Sequence, residues 1–250
     1  MGTPEFAVAG LQTLVEQGYN VVAVITMPDK PAGRGHQIQY SPVKQYALSV
    51  GLPVLQPEKL KDEAFVEALR SYRADLQIVT AFRMLPEVVW SMPRLGTFNV
   101  HGSLLPQYRG AAPINWAVMN GDKETGLTTF MLKHEIDTGN MIDQVRIVIG
   151  ENEDVGSVHD RLMELSKEMV IRTVDKIIAC DDEGIELPTT PQPEIADLRP
   201  APKIFKETCE IDFTKTAAEI HNFVRGLSPY PGAWANLEIG GQPYENVKVF

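Results

Sequence analysis

The sequence predicts an α/β fold in which a mostly parallel sheet with helices packed on it is followed by a linker and a second, smaller β-rich module. Three features of the 250 residues carry that expectation. Apolar runs rich in β-branched residues alternate with stretches of helical periodicity as far as about residue 180, as in a parallel sheet fed by crossover helices. Residues 181–202 are acidic and hold Pro188, Pro191, Pro193, Pro200 and Pro202, a composition that stays extended. The pattern restarts near Lys203. A domain over 1–180, a linker over 181–202 and a partial domain over 203–250 are therefore expected.

The chain opens on Thr3-Pro4-Glu5, read as N-cap, first helical position and acidic first turn. Phe6, Leu11, Leu14 and Val15 form one apolar face before Gly18 ends the helix. Val21 to Thr26 reads as a buried strand, and Pro28 to Pro42, aperiodic and rich in Pro and Gly, as a long functional loop. Helices are expected over Val43 to Val50 and Asp62 to Tyr72, and strands over Gln77 to Ala81 and Thr97 to Val100. A loop from His101 to Gly110 leads into a helix from Ala112 to Asn120. Two late strands, Gly126 to Lys133 and Met141 to Ile149, follow it. Ser157 and Asp160 resemble a capping box for a helix reaching Ile178, with Val158, Leu162, Leu165 and Met169 at helical spacing. Past the linker, Leu237 to Ile239 and Val247 to Val249 read as strands. Strand followed by helix in this order is a Rossmann-like arrangement.

Composition narrows the function. Hydrophobic content of 44% with 22% charged residues is that of a globular domain, and no apolar run approaches the ~18 residues of a membrane span. Two cysteines, Cys180 and Cys209, are too few for a disulfide-stapled secreted domain, so a reducing, cytoplasmic setting is expected. A net charge of −10 argues against broad nucleic-acid affinity, which needs clustered cations. A local exception runs from Lys30 to Pro57, where there is no Asp or Glu and Lys30, Arg34 and Lys44 supply positive charge. That stretch is either a solvated loop or a local anion-binding patch.

Candidate chemistry collects after the strand ending in Asn99-Val100-His101-Gly102. Asn99 and His101, two apart, share one side of a strand at its carboxyl end, the edge where open α/β sheets bind ligands. The amide could donate to an oxyanion and the imidazole could move a proton near neutral pH, although both could equally close a turn. Ser103-Leu104-Leu105-Pro106 is uncharged and suited to lining a pocket with backbone groups, or to plugging the core. Asp137-Thr138-Gly139 falls in the turn between the late strands, where Asp and Gly are common for conformational reasons alone. A metal held by His101, His134 and Asp137 has no supporting spacing.

The block Asn99-Val100-His101-Gly102-Ser103-Leu104-Leu105-Pro106-Gln107-Tyr108-Arg109-Gly110-Ala111-Ala112-Pro113-Ile114, with Asp137-Thr138-Gly139 downstream, resembles the signature of the folate-dependent formyltransferases. Gly2-Thr3-Pro4-Glu5-Phe6-Ala7, Pro28 to Gly35, Ser41-Pro42-Val43-Lys44 and Arg225 to Trp234 are similar to the branch of that family acting on initiator methionyl-tRNA. The resemblance implies an OB-like barrel after the linker and 10-formyltetrahydrofolate as formyl donor. It also implies a catalytic set of Asn99, His101 and Asp137, and no metal. Phe82, Met84, Leu85, Ser103, Leu104, Leu105 and Pro106 are then expected to contact folate, and Lys30, Arg34 and Lys44 to contact tRNA, in a monomer with no membrane partner.

The sequence departs from that family in two places. Ala81-Phe82-Arg83-Met84-Leu85-Pro86 is shorter than the family's loop and lacks its aromatic–Gly pair, which leaves one pocket wall open to question. Family members also begin with a strand before Gly-Thr-Pro and continue beyond the position of Phe250, so a missing first strand and an incomplete barrel are expected. Three competing readings remain. One is a formyltransferase of the same fold acting on a sugar nucleotide or glycinamide ribonucleotide. Another is a nicotinamide oxidoreductase, which the lack of a Gly-x-Gly-x-x-Gly turn disfavours. The third is an inactive folate- or RNA-binding relative.

Overall fold

A computed structural model of the chain describes residues 1–32 and 37–250, with the side chains of 31, 32, 37 and 38 also left out of account. The chain divides into two compact units. The first comprises Met1–His101, Thr129–Asp143 and Met163–Pro191, and the second Gly102–Thr128, Gln144–Leu162 and Gln192–Phe250. Among the described residues no helix is long and apolar enough to cross a membrane.

The first unit is built on parallel pairing. β1 (Val24–Ile25) pairs with β4 (Val54–Leu55), and β5 (Gln77–Thr80) with β6 (Thr97–His101), the latter continuing in the order β5-β6-β7-β8 with β7 (Glu124–Met131) and β8 (Met141–Val148), of which residues 129–131 and 141–143 belong to this unit. Met1 and Gly2 stand between the two groups: Gly2 N–H donates to Ile25 O, Thr80 N–H to Met1 O, and Gly2 bridges Thr80 in parallel. They form an isolated bridge and not a strand of their own. α1 (Glu5–Glu16) begins one residue later than expected. Pro4 is its N-cap and the Thr3 hydroxyl, buried and without a hydrogen-bond partner among the described residues, does not cap it. α2 (Pro42–Ser49) and α3 (Glu63–Ser71) do use side-chain caps, Ser41 accepting from Lys44 N–H and Asp62 from Phe65 N–H.

Register pairs Ile78 with Phe98 and Val79 with Asn99. Alternation then puts Phe98 and Val100 on the face packed by Leu14 of α1 and by Val170, Val174 and Ile177 of α6 (Val155–Glu183), while Val79 packs with Phe65, Val66 and Leu69 of α3. Asn99 and His101 lie on the Val79 side. Several readings need correction. The long loop contains an antiparallel pair, β2 (Lys30–Ala32) with β3 (Gln37–Gln39); β4 and the short α4 (Glu87–Trp90) went unread. α6 starts at Val155, its first turn accepted by Asp154, which takes the Ser157 N–H at 2.8 Å, so Ser157 is inside the helix and not its cap. The helix runs on into the acidic segment as far as Glu183, and Gly184 at φ +66 follows it.

The second unit holds α5 (Pro113–Met119), α7 (Ala217–Leu227) and the hairpin of β9 (Ala233–Ile239) and β10 (Gln242–Val249). α7 went unread, yet Thr216 and Glu219 form a full capping box at its start. Its Leu227 packs with Cys209, Ile211, Ala233, Trp234 and Ala235 in one core, with Met119 of α5 against it. The hairpin turns on Gly240 and Gly241, both at positive φ, as a two-residue turn that matches strand twist requires. Residues 192–202 are extended but not loose. Tyr108 N–H donates to Arg199 O at 2.8 Å, Ala201 N–H to Arg109 O at 2.9 Å and Ala111 N–H to Ala201 O at 2.7 Å.

Candidate active site

β6 ends at the site. Its Thr97, Phe98 and Val100 suit a strand buried on both faces, and the Thr97 hydroxyl donates to Trp90 O at 2.6 Å, fixing the strand's start. Two residues before its end stands Asn99, half-buried; His101 closes the strand. The His101 ring is backed by the fully buried Phe130, centroids 6.4 Å apart and nearly perpendicular at 78°. Asp137 comes from the turn between β7 and β8, with its Oδ2 3.9 Å from His101 Nδ1. The two side chains are 7% and 12% exposed, so a charge on the imidazole would feel the carboxylate through little solvent. The three residues selected from sequence are thus brought together within the first unit, from one strand and one turn.

The turn itself is tightly determined. Asp137 sits at φ +53, a left-handed conformation that Asp tolerates better than most side chains. Thr138 donates to Glu135 O at 3.1 Å, and Met131 N–H to Asn140 O at 3.0 Å closes the hairpin. A Cβ on Gly139 would collide with the Met131 carbonyl and press on the Phe130 ring, so the residue must be glycine. His134, on the same connection, turns away: exposed, it pairs with Glu87 at 3.3 Å and meets Trp90 edge-on at 5.5 Å.

Around β5 the shortened loop is pinned by a residue the sequence reading did not single out. Arg83 donates to Glu58 O at 2.7 Å and to Pro57 O, and its guanidinium lies over the Phe82 ring at 5.6 Å. Phe82 is partly buried, Met84 is 73% exposed, and Leu85 is buried with Leu60 and Val89, leaving its backbone as the part able to meet a ligand. In the second unit, Ser103 to Pro106 were expected to offer backbone groups to a heterocycle, but many of those groups are already bonded. Ser103 Oγ donates to Gln107 O (2.7 Å), Thr128 Oγ1 to Ser103 O (2.7 Å), Leu105 N–H to Thr128 Oγ1 (3.2 Å) and Gln144 Nε2 to Leu105 O (3.2 Å). Carbonyl oxygens keep a second lone pair for a ligand, whereas the Leu105 N–H is committed.

That loop is also stapled to residues 192–202. Gln107 uses both ends of its amide, accepting from Arg199 N–H at 2.7 Å and donating to Asp197 O at 2.8 Å; Arg109 donates to Gln192. Arg199 forks onto Asp122 at 2.7 and 3.1 Å and stacks 4.9 Å from the Tyr108 ring, whose hydroxyl donates to the same carboxylate at 2.8 Å. Burial pushes the Tyr108 phenol well up, with the Asp122 carboxylate adding to the effect. No pattern in the linker's composition announces these contacts, because each depends on the partner strand.

Of the basic residues, Lys30 is exposed on β2 and Arg34 lies outside the described residues. Lys44 is different: its side chain is 13% exposed and its ammonium is bonded to Asp29 and, at 2.8 Å, to Gln56.

The family described as "Formyl transferase" matches residues 1–174, and "Formyl transferase, C-terminal domain" matches residues 203–250. The chain belongs to the formyl transferase family. A methionyl-tRNA formyltransferase of Bacteroides fragilis is 68% identical over 253 residues, covering 100% of this chain and 76% of its own length. Its counterpart in Azobacteroides pseudotrichonymphae is 57% identical over 238 residues, covering 95% of this chain and 73% of its own length. Among solved structures, an N-formyltransferase from Helicobacter canadensis, in complex with folinic acid and dTDP-3-aminofucose, superposes with a TM-score of 0.68 at 23% identity. That match covers 96% of this chain and 82% of the other. A sugar N-formyltransferase from a Shewanella species reaches 0.69 at 17% identity, covering 98% and 93%. At such identities the two structures speak for the fold of this formyl transferase and not for its acceptor.

Proposed function

We propose that this chain transfers the formyl group of 10-formyltetrahydrofolate to the α-amino group of methionine on initiator methionyl-tRNA. The observation that carries this reading is the 68% identity to a protein named for that activity, extending over the whole chain. The site fits the chemistry: an amide donor and a buried imidazole at a strand end, with a carboxylate 3.9 Å from the ring, form a donor set suited to an oxygen that gains charge. The folate co-substrate supplies an activated formyl group on N10. The α-amine, with a pKa of about 7.7 to 8.0, is neutral in useful fraction at working pH. As its nitrogen bonds to the formyl carbon, the side-chain amide of Asn99 and the ring of His101 hold the oxygen that becomes negative. The bond from that carbon to N10 then breaks. His101 carries the proton lost by the amine toward N10, and Asp137 stabilises the ring while it is charged and orients a relaying water. No step requires a metal.

Phe82, Met84, the Leu85 backbone, Ser103, Leu104, Leu105 and Pro106 are the residues we assign to folate. Lys30 and Arg34 are assigned to tRNA phosphates, residues 1–180 to catalysis, 181–202 to the linker and 203–250 to tRNA binding. The protein is read as a cytoplasmic monomer without a membrane partner. Formyl transfer onto charged initiator tRNA, compared with an amino-sugar nucleotide and glycinamide ribonucleotide, tests the acceptor; transfer to either small acceptor but not to tRNA overturns it. His101→Ala and Asp137→Ala are each expected to lower the rate 10²- to 10⁴-fold, and a variant keeping more than about a tenth of the activity overturns the site.

A further inference from the structure

Between β1 and α2 the chain has an outgoing root at Met27–Asp29 and a returning root at Tyr40–Ser41, and both roots meet at one side chain. The Lys44 ammonium, in the first turn of α2, donates to Asp29 Oδ2 and to Gln56 Oε1 (2.8 Å) and lies 3.9 Å over the Tyr40 ring. Gln56, just past β4, donates in turn to Met27 O and to Asp29 Oδ1, both at 2.8 Å. Beside this cluster the Thr26 hydroxyl, fully buried at the end of β1, meets the Ser41 hydroxyl at 2.8 Å. Met27 and Asp29 belong to the outgoing root, Tyr40 and Ser41 to the returning one, and Gln56 ties both to the parallel pair β1–β4. Between the two roots in sequence lies a pair of strands only three residues long, with Lys30 opposite Gln39. A two-stranded pair of that size is marginal alone, so its placement depends on its roots.

We propose that Asp29, Lys44 and Gln56 form a clamp that positions the β2–β3 pair, and Lys30 on it, for the RNA acceptor, with Lys44 acting as a positioning residue and not as a phosphate contact. The inference rests on the reading that this segment meets tRNA. A lysine that binds phosphate must present its ammonium to the anion, but here a carboxylate, an amide oxygen and an aromatic face already surround it. A phosphate drawn onto Lys44 would have to displace Asp29 and then sit beside that carboxylate, a like-charge juxtaposition that opposes binding. The Lys44 ammonium, with the Gln56 amide, also holds the Asp29 carboxyl below the usual carboxylate range, so the pair stays charged under working conditions.

The sign of one substitution separates the two roles. If Lys44 is the clamp, Asp29→Asn and Lys44→Met each raise the KM for initiator methionyl-tRNA by at least about fivefold, while kcat and the KM for 10-formyltetrahydrofolate stay within about twofold. Lys44→Arg, which can still reach Asp29, recovers much of the loss, as does the exchange Asp29→Lys with Lys44→Asp. If Lys44 binds phosphate, Asp29→Asn instead tightens tRNA binding and steepens its salt dependence, because a neighbouring acid has gone and the ammonium is released; that result, or an exchange variant no better than Lys44→Met, overturns the clamp. Lys30→Ala reports separately on the parent reading. An unchanged tRNA KM and salt slope there overturns RNA contact by this segment, whereas a loss there with Asp29→Asn unimpaired overturns the clamp alone.

Discussion

Gly139→Ala adds one methyl group and touches no catalytic side chain, yet it is expected to cripple transfer. The new Cβ would lie well inside contact distance of the Met131 carbonyl and would also press on the ring of Phe130, which backs His101. Carbon and oxygen regain ordinary separation only if the turn retreats by on the order of 1–2 Å. Asp137, two residues earlier in the same turn, is carried with it, and its 3.9 Å approach to His101 Nδ1 is lost. Misplacement by ~1 Å at a reacting centre can cost about 10²-fold in rate. Overpacking of this kind costs about 1–3 kcal/mol, small enough for a domain holding ~5–15 kcal/mol to remain folded. Single-turnover formyl transfer to charged initiator tRNA, read well below the melting midpoint, should therefore fall by about two orders of magnitude. Thr138→Ala is the control: it removes only the bond to the Glu135 carbonyl in the same turn, and should stay within severalfold of the parent. Wild-type single-turnover rates for Gly139→Ala, in a protein shown to be folded, would refute the argument that the position of Asp137 matters.

Two further outcomes are expected. Arg199→Met removes the fork onto Asp122 and should lower stability by ~1–2 kcal/mol, a figure already discounted because the arginine is 39% exposed; it should also raise the KM for the folate donor more than it changes kcat, since the Ser103–Gly110 loop loses its staple. Denaturant midpoints and initial rates check both, and a variant that melts early with an unchanged donor KM would make the staple purely structural. The hydrogen bond from Tyr19 to the Asp175 carboxylate, helped by burial, pushes that phenol up to about 12. A folded pKa above the unfolded value of ~10 means stabilisation that is complete below pH 10 and lost as pH rises toward 12. Urea midpoints across that window should fall less steeply in Tyr19→Phe, and equal slopes would refute the assignment.

What was legible in the sequence was whatever is written locally. α3 shows its Asp62 cap and apolar face, and α2, with Ser41 and Pro42 at its start, was missed by one residue only. Thr3-Pro4 misled because Thr3 has the right chemistry for a cap but the chain turns helical one residue later, after it has bridged β1 and β5. Ser157 misled in the same way, since Asp154 takes the N–H three residues on. α7 is the opposite case: Thr216 and Glu219 spell the capping box outright, and Gly240-Gly241 spells a hairpin turn, so both were available to a closer reading. β4 and the β2–β3 pair carried too little pattern. Two or three residues cannot show a period, and they are strands only because a neighbour accepts their hydrogen bonds.

The site divides along the same line. Asn99 and His101 were singled out because their spacing of two on a strand is a local fact, and Asp137 because the resemblance supplied a role that its turn-like setting could not. Lys44 shows why charge read along the chain is a weak guide. The segment from Lys30 to Pro57 contains no acid, so Lys44 looked available, but its neutralising partner is Asp29, one residue outside that window and brought back by the fold. Arg199 makes the complementary point: in a proline-rich acidic segment it read as linker, yet with Gln107 it ties that segment to the loop following His101. A charge has a function only with its partner, and partners of buried or half-buried charges are chosen by topology. Sequence reading should therefore be expected to place residues whose spacing is local and to miss the partners that the fold brings to a charge.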